Sequence, residues 1–242
     1  MADIQEHIIK RFDEELNKLR FRLVKMGSLV QEQVEYAIRA LTSNSTELAQ
    51  IVIEHDDKVD KLDSKIDKQC LRIFALHQPM AMDLRLVMSA YSINDDMELI
   101  GDLSTNIAKN VLDMSSFQNL TEETKLAQTG DLSVTLINKV LDSFIFSDVE
   151  LAMQALKIAS EIKNLSKENF QLIIALMQKN PMNIASGAYL IDINRNIQFI
   201  SEQGRSIAQE LIFLIEAKIE KHKKEEMADD IFGKEGEEEE KG

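Results

Sequence analysis

Asp95, Glu98 and Asp102 follow one another at steps of three and four, the spacing that stacks side chains on one face of an α-helix, and Asn106 continues the row. Three carboxylates and an amide in line offer oxygen donors only. Such a set suits a hard or borderline divalent cation, Mg²⁺, Mn²⁺ or iron, over Zn²⁺ in a cage of Cys and His. Like charges at these spacings cost an isolated helix about a few tenths of a kcal/mol per pair, so an ordinary surface would intersperse Lys or Arg. A second set of acids precedes the first: Glu54, Asp56, Asp57, Asp60, Asp63 and Asp67. If the two segments form an antiparallel helical hairpin turning near Gln78, Asp57 falls near Ile100 and Asp60 near Met97. Glu54, Asp57 and Asp60 then reach the level of Asp95, Glu98 and Asp102. The expected ligands are Asp57, Asp60, Asp95, Glu98, Asp102 and Asn106. The same pattern also suits a solvated acidic face neutralised by counterions.

Other chemistry finds no carrier. A ferritin-like di-iron site requires Glu-x-x-His, and none of His7, His55, His77 or His222 has a Glu three residues before it. His55 lies on a helical seam and reads as a core or rim residue. Cys70 beside the same seam reads as a small apolar residue, and Met80, Met82, Met88 and Met97 read as gap-fillers of a helical core. There is no nucleotide-binding loop, no Ser/His/Asp order and no glycine-rich turn into a helix. No enzyme is expected.

The acids need long helices to position them. From Phe12 the apolar positions run Leu16, Leu19, Leu23, Met26, Val30, Val34, Ala37 and Leu41, steps of three and four with an extra four at Val34 that marks a stutter. The polar run 42–46 interrupts this pattern, and Asn44 with Glu47 offers a capping-box-like restart. A second seam follows through Leu48, Val52, His55, Val59, Leu62, Ile66, Ile73 and Leu76. Pro79 suits the first turn of a third helix, which carries an apolar stripe of Ile93, Ile100, Leu103, Ile107 and Val111 opposite the acids. A segment around 115–130 then leads to helices over about 132–146 and 149–178, and to a last one after Pro181.

The order repeats in letters as well. Glu47-Leu48-Ala49 recurs as Glu150-Leu151-Ala152, Pro79-Met80 as Pro181-Met182, and Ile107-Ala108 as Ile207-Ala208. The fold expected is all-α, two tandem three-helix bundles of six long helices, with bounds at 1–116 and 117–224. Residues 225–242 hold nine acids and two Lys and are expected to form a disordered acidic tail. Composition agrees: 242 residues with eight Gly, two Pro and no Trp, 44% hydrophobic and 29% charged, fit an ordinary globular helical chain. A formal charge of −14 opposes nucleic acid and anionic membrane surfaces. One cysteine permits no internal disulfide, the start lacks the pattern of a secretory signal, and no apolar run reaches the roughly 18–20 residues of a spanning helix. A cytoplasmic protein, peripheral at most to the membrane, is expected, and the long seams and Met-rich faces suggest a homodimer.

Three stretches together resemble the PhoU family. His55-Asp56-Asp57-Lys58-Val59-Asp60-Lys61-Leu62 is similar to its paired-acid stretch, and Gln78-Pro79-Met80-Ala81-Met82-Asp83-Leu84-Arg85 to its Q-P-x-A-x-D-L-R turn. Glu98-Leu99-Ile100-Gly101-Asp102, followed by Asn106-Ile107-Ala108, is similar to its E-R-I-G-D motif, with Leu99 in place of Arg. The resemblance spans about Phe12 to His222. It implies two three-helix bundles with an E/D-x-x-x-D metal signature on the third helix of each. It also implies a regulator that contacts the ATPase of a phosphate ABC transporter and a sensor histidine kinase, restraining uptake and phosphate-starvation genes when phosphate is plentiful. The second copy departs from the pattern. Gln198-Phe199-Ile200-Ser201-Glu202 stands in place of the second motif, and Lys157 and Lys163 flank Glu161 where paired acids would be. Lysine there can hold the remaining carboxylates as ion pairs, so only the first bundle is expected to bind metal. The residues alone also admit a metal-independent helical scaffold, or a hydrolase using clustered acids to activate water, though no substrate-orienting base accompanies them.

Overall fold

The apolar steps of the first segment demand one long buried stripe, and the chain supplies it as α1 (Ala2–Ser43), unbroken through the stutter at Val34. Leu19, Leu23, Met26, Val34, Ala37 and Leu41 on that stripe have no exposed surface. The computed structural model describes residues 2–114 and 120–238, with side chains over 10–114 and 120–216. Five more long helices follow: α2 (Thr46–His77), α3 (Ala81–Met114), α4 (Leu126–Phe146), α5 (Val149–Lys179) and α6 (Ile184–Glu238). Two one-turn 3₁₀ segments, Thr121–Glu123 and Pro181–Asn183, lead into α4 and α6. No strand occurs among the described residues, and no helix there is long and apolar enough to cross a membrane.

α1, α2 and α3 pack mutually as one bundle and α4, α5 and α6 as another. The bundles lie against each other through α3 with α6 and α1 with α4, and a single buried apolar cluster runs from Leu16 to Ile215 through both. The expected boundary between residues 116 and 117 lies outside the described residues.

Local chemistry shifts several expected ends. α1 exits through Asn44 in the left-handed region at φ 51°, a conformation Asn tolerates, so Asn44 is not the cap of α2. Ser45 is that cap, in extended geometry, its side chain accepting from Leu48 N. Pro79 lies before α3 rather than in its first turn. Gln78 at φ 45° ends α2 and Ala81 at φ 46° begins α3, and left-handed residues on both sides of Pro79-Met80 keep the intervening turn out of either helix. Pro181, by contrast, opens a 3₁₀ turn that leads directly into the long helix expected after it, with Asn180 accepting from Met182 N.

α4 starts at Leu126, six residues before the position read from apolar spacing. Thr129 and Ser133 are buried on its inner face and mask the apolar period. Asn169 of α5 secures this start, accepting from Lys125 N at 2.7 Å and donating to Thr129 Oγ1 at 2.9 Å. At the other end, the backbone of α6 runs helically to Glu238, into the acidic run expected to form a tail. Residues 239–242 lie outside the described residues.

Two glycines permit the close approach of α1 and α4. A Cβ on Gly27 would stand 2.6 Å from Leu141 Cδ1, and one on Gly130 would stand 2.6 Å from Ile38 Cγ2. Ile38 is buried and β-branched, so it has little room to move aside. Gly130→Val should cost about 1–3 kcal/mol of stability by overpacking, read as a lower urea midpoint with an unchanged slope.

Candidate metal centre

The acids of α2 and α3 meet along one groove because the connection at Gln78–Met80 is short and fixes the level of the two helices. Asp56, Asp60, Asp63 and Asp67 recur at steps of four, three and four, forming one stripe on α2 that faces the stripe of α3. Two groups of carboxylates result, Asp56 with Asp60 and Asp102, and Asp63 with Asp67 and Asp95. Within each group one oxygen of every residue lies within 4.8 Å of the others. Glu98 sits between the groups and feels both, through Asp102, Asp63, Asp60 and Asp56.

Of the residues expected as ligands, Asp60, Asp95 and Asp102 fall within these groups and Glu98 bridges them. Asp57 does not join them. It lies one residue, and so about 100° of helix, round from the Asp56 stripe, with its side chain 80% exposed and paired with Lys61 at 3.1 Å. Asn106 is exposed on the next turn beyond Asp102 and belongs to neither group. Glu54 is likewise exposed, with Gln50 donating to it at 3.4 Å. Asp56, Asp63 and Asp67 are visible in the sequence as acids of α2, but level along the axis does not say which face of α2 a residue occupies, and Asp57 stands at nearly the level of Asp56 on a different face.

A buried amide, Asn94, organises the lower group and carried no signal in the sequence. Its Nδ2 donates to Asp63 Oδ1 at 2.6 Å and to Asp67 Oδ1 at 3.1 Å, while its own Oδ1 is buried without a hydrogen-bond partner. Thr105 likewise donates to Asp56 Oδ1 at 3.1 Å. Positioned in this way, the carboxylates of each group keep oxygens close enough to one another to share a cation.

Desolvation and mutual repulsion both act on the acids. Glu98 is pushed up to about 7, first by burial and then by Asp102 and the three aspartates of α2. Burial is also the leading cause that raises Asp60, Asp63, Asp95 and Asp102, with neighbouring aspartates adding to it. Oxygen donors in such number, with a buried orphan amide oxygen beside them, fit a hard divalent cation. The same surroundings and burial push the Cys70 thiol up to about 12, which leaves it a buried apolar group. His55 lies with Nδ1 4.0 Å from Glu32 of α1, at the rim as expected.

The second bundle has the same backbone with different chemistry. The expected pairing of lysine with Glu202 does not form. Gln198 Nε2 donates to Glu202 Oε1 at 2.9 Å instead, and Lys163 makes no ion pair among the described residues.

Comparison with known proteins gives one consistent match. The PhoU domain model matches residues 23–111 and 126–211. The chain is 31% identical over 223 residues to the phosphate-specific transport system accessory protein PhoU of Serratia marcescens, covering 91% of this chain and 90% of that one. It is 30% identical over 213 residues to the corresponding PhoU homolog of Pseudomonas putida, covering 88% and 83%. Among solved structures, PhoU from Pseudomonas aeruginosa superposes with a TM-score of 0.80 at 29% identity, over 85% of this chain and 99% of that one. The phosphate transport system regulatory protein PhoU from Streptococcus pneumoniae does so with a TM-score of 0.77 at 30% identity, over 84% and 96%.

The raised carboxylates make metal-free stability depend on pH. Native Glu98 holds its proton where the unfolded chain, with a pKa near 4.5, has shed it. Its contribution is therefore full below 4.5 and lost as pH rises through about 7. Urea unfolding without divalent metal should show a midpoint that falls across this window, and Glu98→Gln should flatten the fall.

Proposed function

The chain belongs to the PhoU family, and from that membership we propose that it is a regulatory accessory protein of phosphate uptake. It acts in the cytoplasm as a homodimer. It binds the ATPase of a phosphate ABC transporter and a sensor histidine kinase, and restrains both uptake and starvation signalling when phosphate is plentiful. Its part is binding and regulation, with no reaction of its own. The two bundles, 1–116 and 117–224, are its structural domains.

The observation that carries the metal part of this reading is the convergence of seven carboxylates from α2 and α3 on one groove, none of them in an ion pair among the described residues and only Asp60 and Asp102 eased by a lysine, Lys61 and Lys109 respectively. Asp56, Asp60 and Asp102, with Glu98 above Asp63, Asp67 and Asp95, would hold a divalent ion, Mg²⁺, Mn²⁺ or iron. Asp57 and Asn106 would act at most from the rim. Bound there, the ion supplies the positive charge that these acids lack and ties α2 to α3. The chain's own part is to hold the acids in place through Asn94 and Thr105. Occupancy then alters partner affinity to the extent that the partner discriminates the two states.

Two measurements test this reading. Saturating Mn²⁺ at about a hundredfold excess over its dissociation constant should add about 2.7 kcal/mol of stability. The gain should vanish in the Glu98→Ala, Asp102→Ala double variant and persist in Glu202→Ala; an undiminished gain in the double variant would leave a metal-independent scaffold. Separately, alkaline phosphatase activity in a strain lacking this protein should stay high in phosphate-rich medium and fall when the protein is restored. Repression that is unchanged without it would overturn the regulatory role.

A further inference from the structure

Between α5 and α6 lies a cavity of about 270 Å³ lined by Ala159, Lys163, Gln198, Ser201, Glu202 and Arg205. The internal repeat, offset by 103 residues in the middle helix and 100 in the third, puts these residues where the first bundle has Asp56, Asp60, Glu98, Gly101, Asp102 and Thr105. Four carboxylates have become one, and two cations have been added. We propose that this cavity is a binding site for a small hydrogen-bearing oxyanion of the phosphate class.

The groups present have the chemistry for it. The planar guanidinium of Arg205 can take two oxygens of a tetrahedral anion, while the Lys163 ammonium acts as a mobile point charge on a third. Both side chains are exposed at the mouth, and among the described residues neither is spent on an ion pair. Glu202 keeps its negative charge beside them, its Oε1 accepting from Gln198, so the cavity sets two cations against one carboxylate. At the back of the cavity, the Ser201 hydroxyl is buried and reaches only Ala159 O, at 3.5 Å, so it can turn to donate to a ligand.

Glu202 sets the selectivity. A carboxylate is an acceptor only, so its second oxygen repels a fully deprotonated anion and welcomes one that carries a proton to donate. At neutral pH inorganic phosphate carries such a proton and sulfate does not. A phospholipid headgroup shares much of this chemistry, but a bilayer of anionic lipid would also meet the rest of a chain whose formal charge is −14. A free ion meets the cavity alone.

The test needs neither metal nor partner, so it stands or falls apart from the regulatory reading. Inorganic phosphate is titrated calorimetrically into the full chain in the presence of a chelator, at constant ionic strength, with sulfate and chloride in parallel. Saturable binding at one site is expected, tighter for phosphate than for sulfate. Lys163→Gln with Arg205→Gln should weaken it by about tenfold or more, as expected for lost hydrogen bonds to charged groups. Lys163→Arg should retain it, and Glu202→Gln should bring sulfate level with phosphate. Thermal unfolding of each variant checks that the fold is intact, and the single Lys163→Gln variant reports if the double one unfolds. No saturable phosphate binding, or equal binding by the double variant, overturns the proposal. Cosedimentation with phosphatidic acid vesicles that free phosphate cannot relieve would reassign the cavity to a lipid headgroup.

Discussion

The level of α2 against α3 is the constraint on which the rest of the site depends. It is set by the turn at Gln78–Met80, with a left-handed residue on either side, and held by the apolar contacts beneath. Val52, Val59, Ile66 and Ile73 of α2 face Ile93, Met97, Ile100 and Ile107 of α3, all nearly or wholly buried. Each fully buried side chain of this size is worth about 1.5–3 kcal/mol, several times the repulsion of one pair of like charges on a helix. The core therefore decides where the carboxylates go. A rotation of α2 by one residue would replace Asp56, Asp60, Asp63 and Asp67 in the groove with Asp57, Lys61, Ser64 and Lys68, and so a stripe of acids with one acid and two lysines.

The second bundle extends this control beyond a single hairpin. α6 packs along α3, and the two helices are tied by polar contacts as well as by the shared core. Ser89 Oγ donates to Glu210 Oε1 at 2.5 Å, Asn110 Nδ2 to Asp192 Oδ2 at 2.7 Å, and Arg85 lies 4.3 Å from the centre of the Phe213 ring. Asp96, on the side of α3 away from the acid groove, is raised mainly by burial and hydrogen-bonded to Ser206. A change in the spacing of α2 and α3 would thus be felt by α6, which also carries Gln198, Glu202 and Arg205. Contiguity of this kind is a physical route for coupling, though coupling itself is a difference in binding free energy between states.

Much of the architecture could be read from spacing alone, because three- and four-residue apolar steps admit one solution over 30 residues. The six helices, the stutter and the repeat followed from that period. Ends were harder to read. Asn44 and Ser45 are both good caps, and only the backbone separates the left-handed exit of one helix from the extended cap of the next. The start of α4 was hidden because Thr129 and Ser133 are buried as small polar residues that bond within their own helix or to Asn169. In the site, level arithmetic brought the correct helices together but could not resolve Asp56 from Asp57. Nothing in the sequence marked Asn94, since its role rests on burial and on two partners about thirty residues away.

The two copies within one chain provide an internal comparison that bears on why the acids exist. The repeat sets Ala159, Lys163, Ser166 and Phe170 where α2 has Asp56, Asp60, Asp63 and Asp67, and Arg195 and Gln198 where α3 has Asp95 and Glu98. Despite these changes α5 and α6 form the same hairpin, capped by Asp148 and buried along Ala152, Ile162, Ile193, Ile197 and Ile200. Even the amide of the lower group has a counterpart: Asn194 donates to Ser166 O at 2.9 Å, as Asn94 donates to Asp63. The hairpin thus folds without a carboxylate stripe, and the stripe adds repulsion and desolvation to the copy that has it. Residues that a fold does not need, and that oppose it at neutral pH, are what the metal site proposed for the first bundle accounts for. In the second bundle the same scaffold carries two cations and one carboxylate in their place.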